Sequence, residues 1–397
     1  MSKSSPRTLV FSFDGTGNEP DDATGFKQDE SISNVLKLHV LMGGGLEEDR
    51  TATKTGKDDP QITCYYNGIG TREDGETIPL VGWLVSKTRK IVNSTLAPSW
   101  GDARRILKQA SEDLEELKPT RDDRIVLFGF SRGAALARKF ASRTLAKNPD
   151  LKISFLGVFD TVAAMDGIHT RGERISSDVV FENGTLHPNV LSAVHIVSLD
   201  EDRVAFEPTL INRDLENENR ITEIWFPGVH SDIGGGYWHD GLADVSLTYM
   251  IGMCRKALGD DISIVFPTRQ KDVAKLLEDQ GEILALLDVD DILVHPNIMG
   301  MVHRHTAGAG KFLEKDMRKV CVKENDRAVA PGECRPLVHH SVKARFDLVA
   351  EYRPSALRGV VFDLLDPEDG TGRIPISGIS GLREHDDTRS RDEKLRG

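Results

Sequence analysis

Short apolar runs recur along this chain, each closing on glycine or a polar residue: TLVFSFDGTG, ITCYYNGIGT, RIVLFGFSRG, ISFLGVFDTV, VHIVSLDED and ITEIWFPGVHSD. They are too short for helices and rich in Val, Ile and Phe. Their apolarity is continuous rather than alternating, the pattern of strands buried on both faces, as in a parallel sheet. Helical patterns lie between them. Residues 101–118 set Ile106, Ala110 and Leu114 on one stripe. Residues 132–147 favour helix and start directly after the third run. This alternation predicts an α/β fold, a mostly parallel central sheet with helices on both faces.

From about residue 264 the pattern changes to mixed helical stretches and irregular connections. It predicts a partly helical C-terminal extension, with 264–360 as decoration or a cap on one domain spanning 1–380. The charged stretch 381–397, GLREHDDTRSRDEKLRG, predicts a disordered tail. After Asp160 the aperiodic polar stretch MDGIHTRGERISSDVVFENGTLHPN reads as a lid or surface excursion.

In such sheets ligands sit at the carboxyl ends of the strands, so the polar residues ending the runs form one set: Asp14, Asn67, Ser131, Asp160, Asp200 and His230. The strongest local signal is RIVLFGFSRGAALAR, where Gly129, Ser131 and Gly133 spell G-x-S-x-G between a strand pattern and a helix pattern. That context is what a nucleophile elbow requires. A serine there needs a base, and the base an orienting acid. His230, just past the last apolar run and ahead of a triple glycine, is the candidate base. Asp160 and Asp200 compete as the acid. Asp160 is the isolated acid of an apolar stretch, whereas Asp200 sits among Glu201, Asp202 and Arg203 like a solvated strand end; Asp160 is favoured and Asp200 is the alternative.

Other histidines read differently. His195 lies inside an apolar strand, as a satisfied core residue would. His303 with His305, the His339–His340 pair, or His230 with Asp232, His239 and Asp240 lack the further ligands at metal-site spacing that would outweigh a structural reading. The expectation is metal-independent chemistry with no cofactor.

The stretch FSFDGTGN resembles the head of a phosphatase of the haloacid dehalogenase type, but Ser12 occupies the position of the attacking carboxylate. Counting strands back from Ser131 offers another role. TLVFSFDGTG falls where hydrolases have their third strand, and the loop after that strand supplies one N–H of the oxyanion hole. Asp14, Gly15, Thr16 and Gly17 would form this loop, with Asp14 bracing it, and Arg132 would give the second N–H.

The chain has 397 residues and a net charge of −12, which argues against a nucleic-acid partner. The N-terminal apolar run is too short for a signal peptide core, and no segment reaches membrane-spanning length. Cys64, Cys254, Cys321 and Cys334 are dispersed without C-x-x-C, as free thiols of a reducing compartment would be. A cytoplasmic protein is expected on these grounds.

Taken together, FDGTGN, YYNGIGT, GFSRGAALAR, GVFDTV, SLDEDR with FEPTL, WFPGVHSDIGGGY and HHSVKARF resemble an α/β-hydrolase family long known only as an uncharacterised bacterial and fungal domain. That family includes the first class of type VI secretion lipase effectors. The resemblance implies lipase or phospholipase-type ester hydrolysis by a catalytic triad, with the serine on Ser131, the histidine on His230 and the acid on Asp160, although Asp200 also matches a family motif. It further implies a lipid or small ester substrate, an immunity or secretion partner, and export by a signal-independent system. The larger effectors carry extra regions for membrane docking or for loading onto the secretion machine, and no membrane-inserting segment is expected in this sequence. The stretch LVGWLVSKTRKIVNSTLAPSW reads as a packed helix, so membrane contact is peripheral at most. The rival expectation is a binding or scaffold protein on a hydrolase fold that makes little use of its triad.

Overall fold

The computed structural model of the protein describes residues 6–16, 18, 29–45, 59–69, 100–163, 186–214, 219–279, 287–303, 314–325, 327–330, 332–367, 370 and 372–387. Most of the excursion after Asp160, the amphipathic stretch up to residue 99, Gly17, His305 and residues 388–397 lie outside them.

Each of the six apolar runs forms a strand: β1 Thr8–Phe13, β2 Gln61–Tyr66, β3 Arg124–Phe130, β4 Ile153–Phe159, β5 Ala193–Ser198 and β6 Ile221–Phe226. After a short ribbon of β7 Lys323–Glu324 and β8 Arg327–Ala328, three further strands follow: β9 Leu337–Val338, β10 Val361–Leu365 and β11 Arg373–Ser377. The main sheet runs β11-β10-β9-β6-β5-β4-β3-β1-β2. All its pairings are parallel except β10 with β11. With helices on both faces, this is an α/β-hydrolase fold.

Period-two geometry explains why the strands read as continuous apolar runs. Leu9, Phe11 and Phe13 face one core with Ile125 and Leu127, packed by Ile106, Ala110 and Leu114 of α2 (α1 being Asn34–Leu41, α2 Trp100–Leu117). Val10, Val126 and Phe128 face the other core, with Leu36 and Leu38 of α1 and Met250 of the long helix Gly241–Leu258. Ser33 caps α1, its hydroxyl accepting from the Leu36 N–H at 3.1 Å, worth about 1 kcal/mol.

The C-terminal third carries helices, Gln270–Asp279 and His340–Leu348 among them, but it also adds β9, β10 and β11 to the central sheet, which the sequence pattern does not predict. The apolar residues of these strands alternate or come in pairs too short to signal a strand by themselves. They bury a third core of Trp225, Phe346, Phe362, Leu364 and Ile376. The start of the expected disordered tail is also ordered: Gly378–Asp387 is helical, and Leu382 is fully buried in that core. One apolar side chain anchors a stretch whose composition reads as solvated.

β1 lies between β2 and β3, with Phe13 opposite both Tyr66 and Gly129. The loop leaving β1 therefore reaches the end of β3, where Ser131 begins α3 Ser131–Lys147. β4, β5 and β6 follow in order beside β3, so Asp14, Ser131, Asp160, Asp200 and His230 share one sheet edge. Among the described residues no helix is long and apolar enough to cross a membrane.

Candidate active site

Ser131 stands at the junction of β3 and α3 with φ +56°, a left-handed conformation costing a non-glycine residue about 1–3 kcal/mol. Packing enforces the sharp turn. A Cβ on Gly129 would lie 2.6 Å from the Ala134 Cα, and one on Gly133 would collide with the Phe13 and Asp14 carbonyl oxygens. Only glycine lets strand, helix and the β1 loop meet so closely. The first turn of α3 directs its N–H groups and its positive dipole end toward the sheet edge.

Asp160 ends β4, also with positive φ, +41°. Its Oδ1 accepts from the Ser198 N–H at 2.9 Å and from Arg318 at 2.5 Å. Its Oδ2 meets His230 Nδ1 at 2.6 Å and Arg318 at 2.9 Å. Burial alone would push the carboxyl up, but the Arg318 guanidinium and His230 hold it well below the usual carboxylate range.

His230 opens the short helix α4 His230–Gly234 after the Gly228 turn. The rings of Phe130 and Phe206 lie 4.7 and 4.9 Å from its own, and its backbone N–H donates to Glu201 at 3.2 Å. Burial lowers the basicity of the imidazole, against the pull of Asp160 and Glu201. Nε2 is buried and makes no hydrogen bond among the described residues. The structure thus joins acid to imidazole and stands the imidazole against Phe130, the residue before Ser131, while the Ser131 hydroxyl is not hydrogen-bonded to Nε2. Such bonds are often loose without substrate.

Asp200 does not reach His230. It accepts from the Gly228 N–H at 2.7 Å and the Tyr352 hydroxyl at 2.9 Å, and burial pushes its carboxyl up to about 6. It shapes the turn that presents His230. Its neighbours are not a solvated strand end either: Glu201 is 1% exposed and forms a two-armed ion pair with Arg203 at 2.7 Å. A returning segment at 314–316 runs beside residues 202–204 and pairs with their backbone.

The β1 loop is braced by Asp14. Its carboxylate accepts from the Gly15 N–H at 2.6 Å, the Ser33 hydroxyl at 2.7 Å and the Tyr65 hydroxyl at 2.5 Å. Burial pushes it up to about 6 against those bonds. The Gly15 N–H is therefore occupied, as is that of Asn18, which donates to the Gly15 carbonyl at 3.0 Å. Arg132 follows Ser131 in the first turn of α3; burial pulls its guanidinium down to about 10. Ser12 is fully buried in the sheet.

The residues weighed as metal ligands go separate ways. His195 is a satisfied core residue, held by Glu223 at 2.8 Å and the Thr161 N–H at 3.1 Å. Asp240 pairs with Lys37, Asp232 with His303, and His339 stacks on Phe226. Among the described residues no group of three or more His, Cys, Asp or Glu is arranged to hold a metal ion.

Sequence reasoning missed Arg318 and the Glu201–Arg203 pair. Arg318 lies 158 residues from Asp160 in a segment with no periodic or motif signal.

The family profile described as "T6SS, Phospholipase effector Tle1-like, catalytic domain" matches residues 7–144 and 139–253. Among curated proteins none matches the chain. Similar solved structures include an uncharacterized protein from Pseudomonas aeruginosa, at 21% identity over 74% of this chain and 50% of that one, TM-score 0.45. A Tle1 effector bound to the VgrG spike of a type 6 secretion system is 24% identical over 60% of this chain and 52% of that one, TM-score 0.32. A hormone-sensitive lipase from a metagenome library is 11% identical over 64% and 78%, TM-score 0.34. The chain spans about half the length of the first two.

Proposed function

For a chain that belongs to the Tle1-like family of type VI secretion phospholipase effectors, we propose hydrolysis of carboxylic esters by Ser131, His230 and Asp160 through an acyl-enzyme. Ser131 Oγ attacks the ester carbonyl carbon while His230 Nε2 takes its proton. The Asp160 carboxylate, on Nδ1, fixes the tautomer and stabilises the imidazolium. The carbonyl oxygen, now anionic, is received by the Arg132 N–H and by an amide of the loop after β1, at Thr16 or Gly17. When the tetrahedral intermediate collapses, the alcohol leaves with the proton from His230. Water, deprotonated by the same imidazole, then attacks the acyl carbon and regenerates Ser131.

The observation that supports this reading best is the 2.6 Å bond between buried His230 and Asp160, set beside a serine in a left-handed turn at the head of a helix. A lipid ester, phospholipid above all, as substrate rests on family membership. So do delivery by a signal-independent secretion system and a spike or immunity protein as partner.

The test is Ser131→Ala in the full chain. It is expected to abolish labelling by a fluorophosphonate probe and to lower turnover of a nitrophenyl ester by about a millionfold. A phospholipid panel run beside it identifies the substrate. A scaffold on the same fold, the second reading, draws on the missing Ser131–His230 hydrogen bond and expects neither label nor turnover from the wild type.

A further inference from the structure

The matched catalytic region ends at residue 253, yet the acid of the site is gripped from outside it. Residues 314–318 return along the loop after β5. The Val204 N–H donates to the Glu314 carbonyl at 2.9 Å, the Asp316 N–H to the Asp202 carbonyl at 2.8 Å, and Lys315 pairs with Asp202 at 2.9 Å. This short antiparallel contact delivers Arg318, which is 7% exposed, to the end of β4.

Its guanidinium bonds four acceptors on three segments. One nitrogen donates to Asp160 Oδ1 at 2.5 Å and the Ser198 carbonyl at 2.9 Å. The other donates to Asp160 Oδ2 at 2.9 Å and the Phe206 carbonyl at 2.6 Å. The fork thus fixes the plane of the carboxylate. It also fixes the backbone of Phe206, whose ring lies edge-on to His230. Together with the Ser198 N–H, these donors hold the Asp160 carboxylate in the plane that meets His230 Nδ1.

We propose that Arg318 is a positioning residue of the hydrolytic site, fixing both the Asp160 carboxylate and the Phe206 wall of the imidazole, so that the C-terminal extension is part of the catalytic apparatus rather than a cover. This rests on the serine-hydrolase reading above. A guanidinium on the triad acid also has an electrostatic consequence. It offsets part of the charge of the carboxylate that favours the imidazolium: Asp160 and Glu201 raise the basicity of His230, Arg203 lowers it, and Arg318 neutralises Asp160 and faces Glu201.

The experiment compares Arg318→Lys and Arg318→Gln with wild type in the full chain, rates being normalised to sites titrated by exhaustive fluorophosphonate labelling. Lys keeps the charge but not the fork. It is expected to lower kcat per site by about a hundredfold through misplacement, with KM unchanged and the acidic limb of kcat/KM in place. Gln also removes the charge, and its acidic limb is expected to move to higher pH because Asp160 loses the charge that offsets its pull on the imidazolium. A merely structural ion pair would lower the melting temperature and leave kcat per site and both limbs at wild-type values. That result in either variant overturns the proposal, and Lys alone decides it where Gln does not fold. Ser131→Ala run in parallel separates the two claims: an inert wild type removes the hydrolase reading and this proposal together, whereas an active wild type with unchanged Arg318 variants removes only this one.

Discussion

Asp160 and His230 meet at 2.6 Å although 70 residues separate them, and both are buried. The rival carboxylate, Asp200, is turned instead to the Gly228 N–H and the Tyr352 hydroxyl. Asp160→Asn is expected to preserve the fold and cut kcat by about ten-thousandfold, because the amide holds the wrong imidazole tautomer. Asp200→Ala is expected to lower the melting temperature while kcat per competent site stays near wild type. Nitrophenyl ester kinetics with thermal melts on both variants check this; the opposite ranking in kcat would return the acid's role to Asp200.

In the proposed mechanism the pH dependence of activity follows from His230. As the proposed general base it must be neutral, and burial keeps its basicity below the ordinary imidazole value of 6.5. The acidic limb of kcat/KM is therefore expected below pH 6.5.

Stability has its own window. Glu201 is held down to about 2 by Arg203 despite burial, and Asp160 is also depressed. Their contribution is present above the unfolded values of 4.5 and 3.8 and is lost as pH falls. Asp14 and Asp200, raised to about 6 by burial, act oppositely: the stability from their protonated forms is lost as pH rises through about 6. For these four groups stability is expected to peak near pH 4, where Glu201 and Asp160 are still ionised and Asp14 and Asp200 still protonated, and to fall from there to about pH 6. Asp14→Asn should flatten the fall on the alkaline side, as denaturant titrations at stepped pH would measure.

His303 clasps two segments beside the site. Its Nδ1 meets Asp232 at 2.5 Å, its Nε2 meets Asp29 at 2.9 Å, and Tyr237 stacks on it at 3.8 Å. Burial would lower its pKa, but the two carboxylates raise it above 6.5. The clasp is therefore complete below the unfolded value and weakens as pH rises through the folded one. His303→Gln is expected to speed amide hydrogen exchange at residues 29–33 at neutral pH, with little change at pH 9.

Two glycines separate packing from propensity. Gly133→Ala would drive a methyl into the β1 backbone and is expected to unfold the elbow and abolish probe labelling. Gly252→Ala, on an exposed face of the helix Gly241–Leu258 with nothing within 4 Å of its Cβ, is expected to stabilise by up to about 1 kcal/mol. Melting curves and active-site titration decide both.

The sequence by itself determined the six parallel strands, the stripe of α2 and the G-x-S-x-G junction, because two-sided burial and helical periodicity are local patterns that three to eighteen residues suffice to display. It also put Asp14, Ser131, Asp160, Asp200 and His230 at strand ends, which a parallel sheet collects on one edge whatever the loops do. Only the tertiary structure decided which acid faces the imidazole. Along the chain Asp160 is favoured over Asp200 only by its apolar surroundings, and the contact itself depends on where Gly228, Tyr352 and Arg318 arrive from distant segments. The same holds for the three added strands, whose two to five residues carry too little pattern to announce a sheet until β6 offers them an edge. A buried charge such as Arg318 leaves no periodic trace, since its placement answers to partners in space and not to neighbours along the chain.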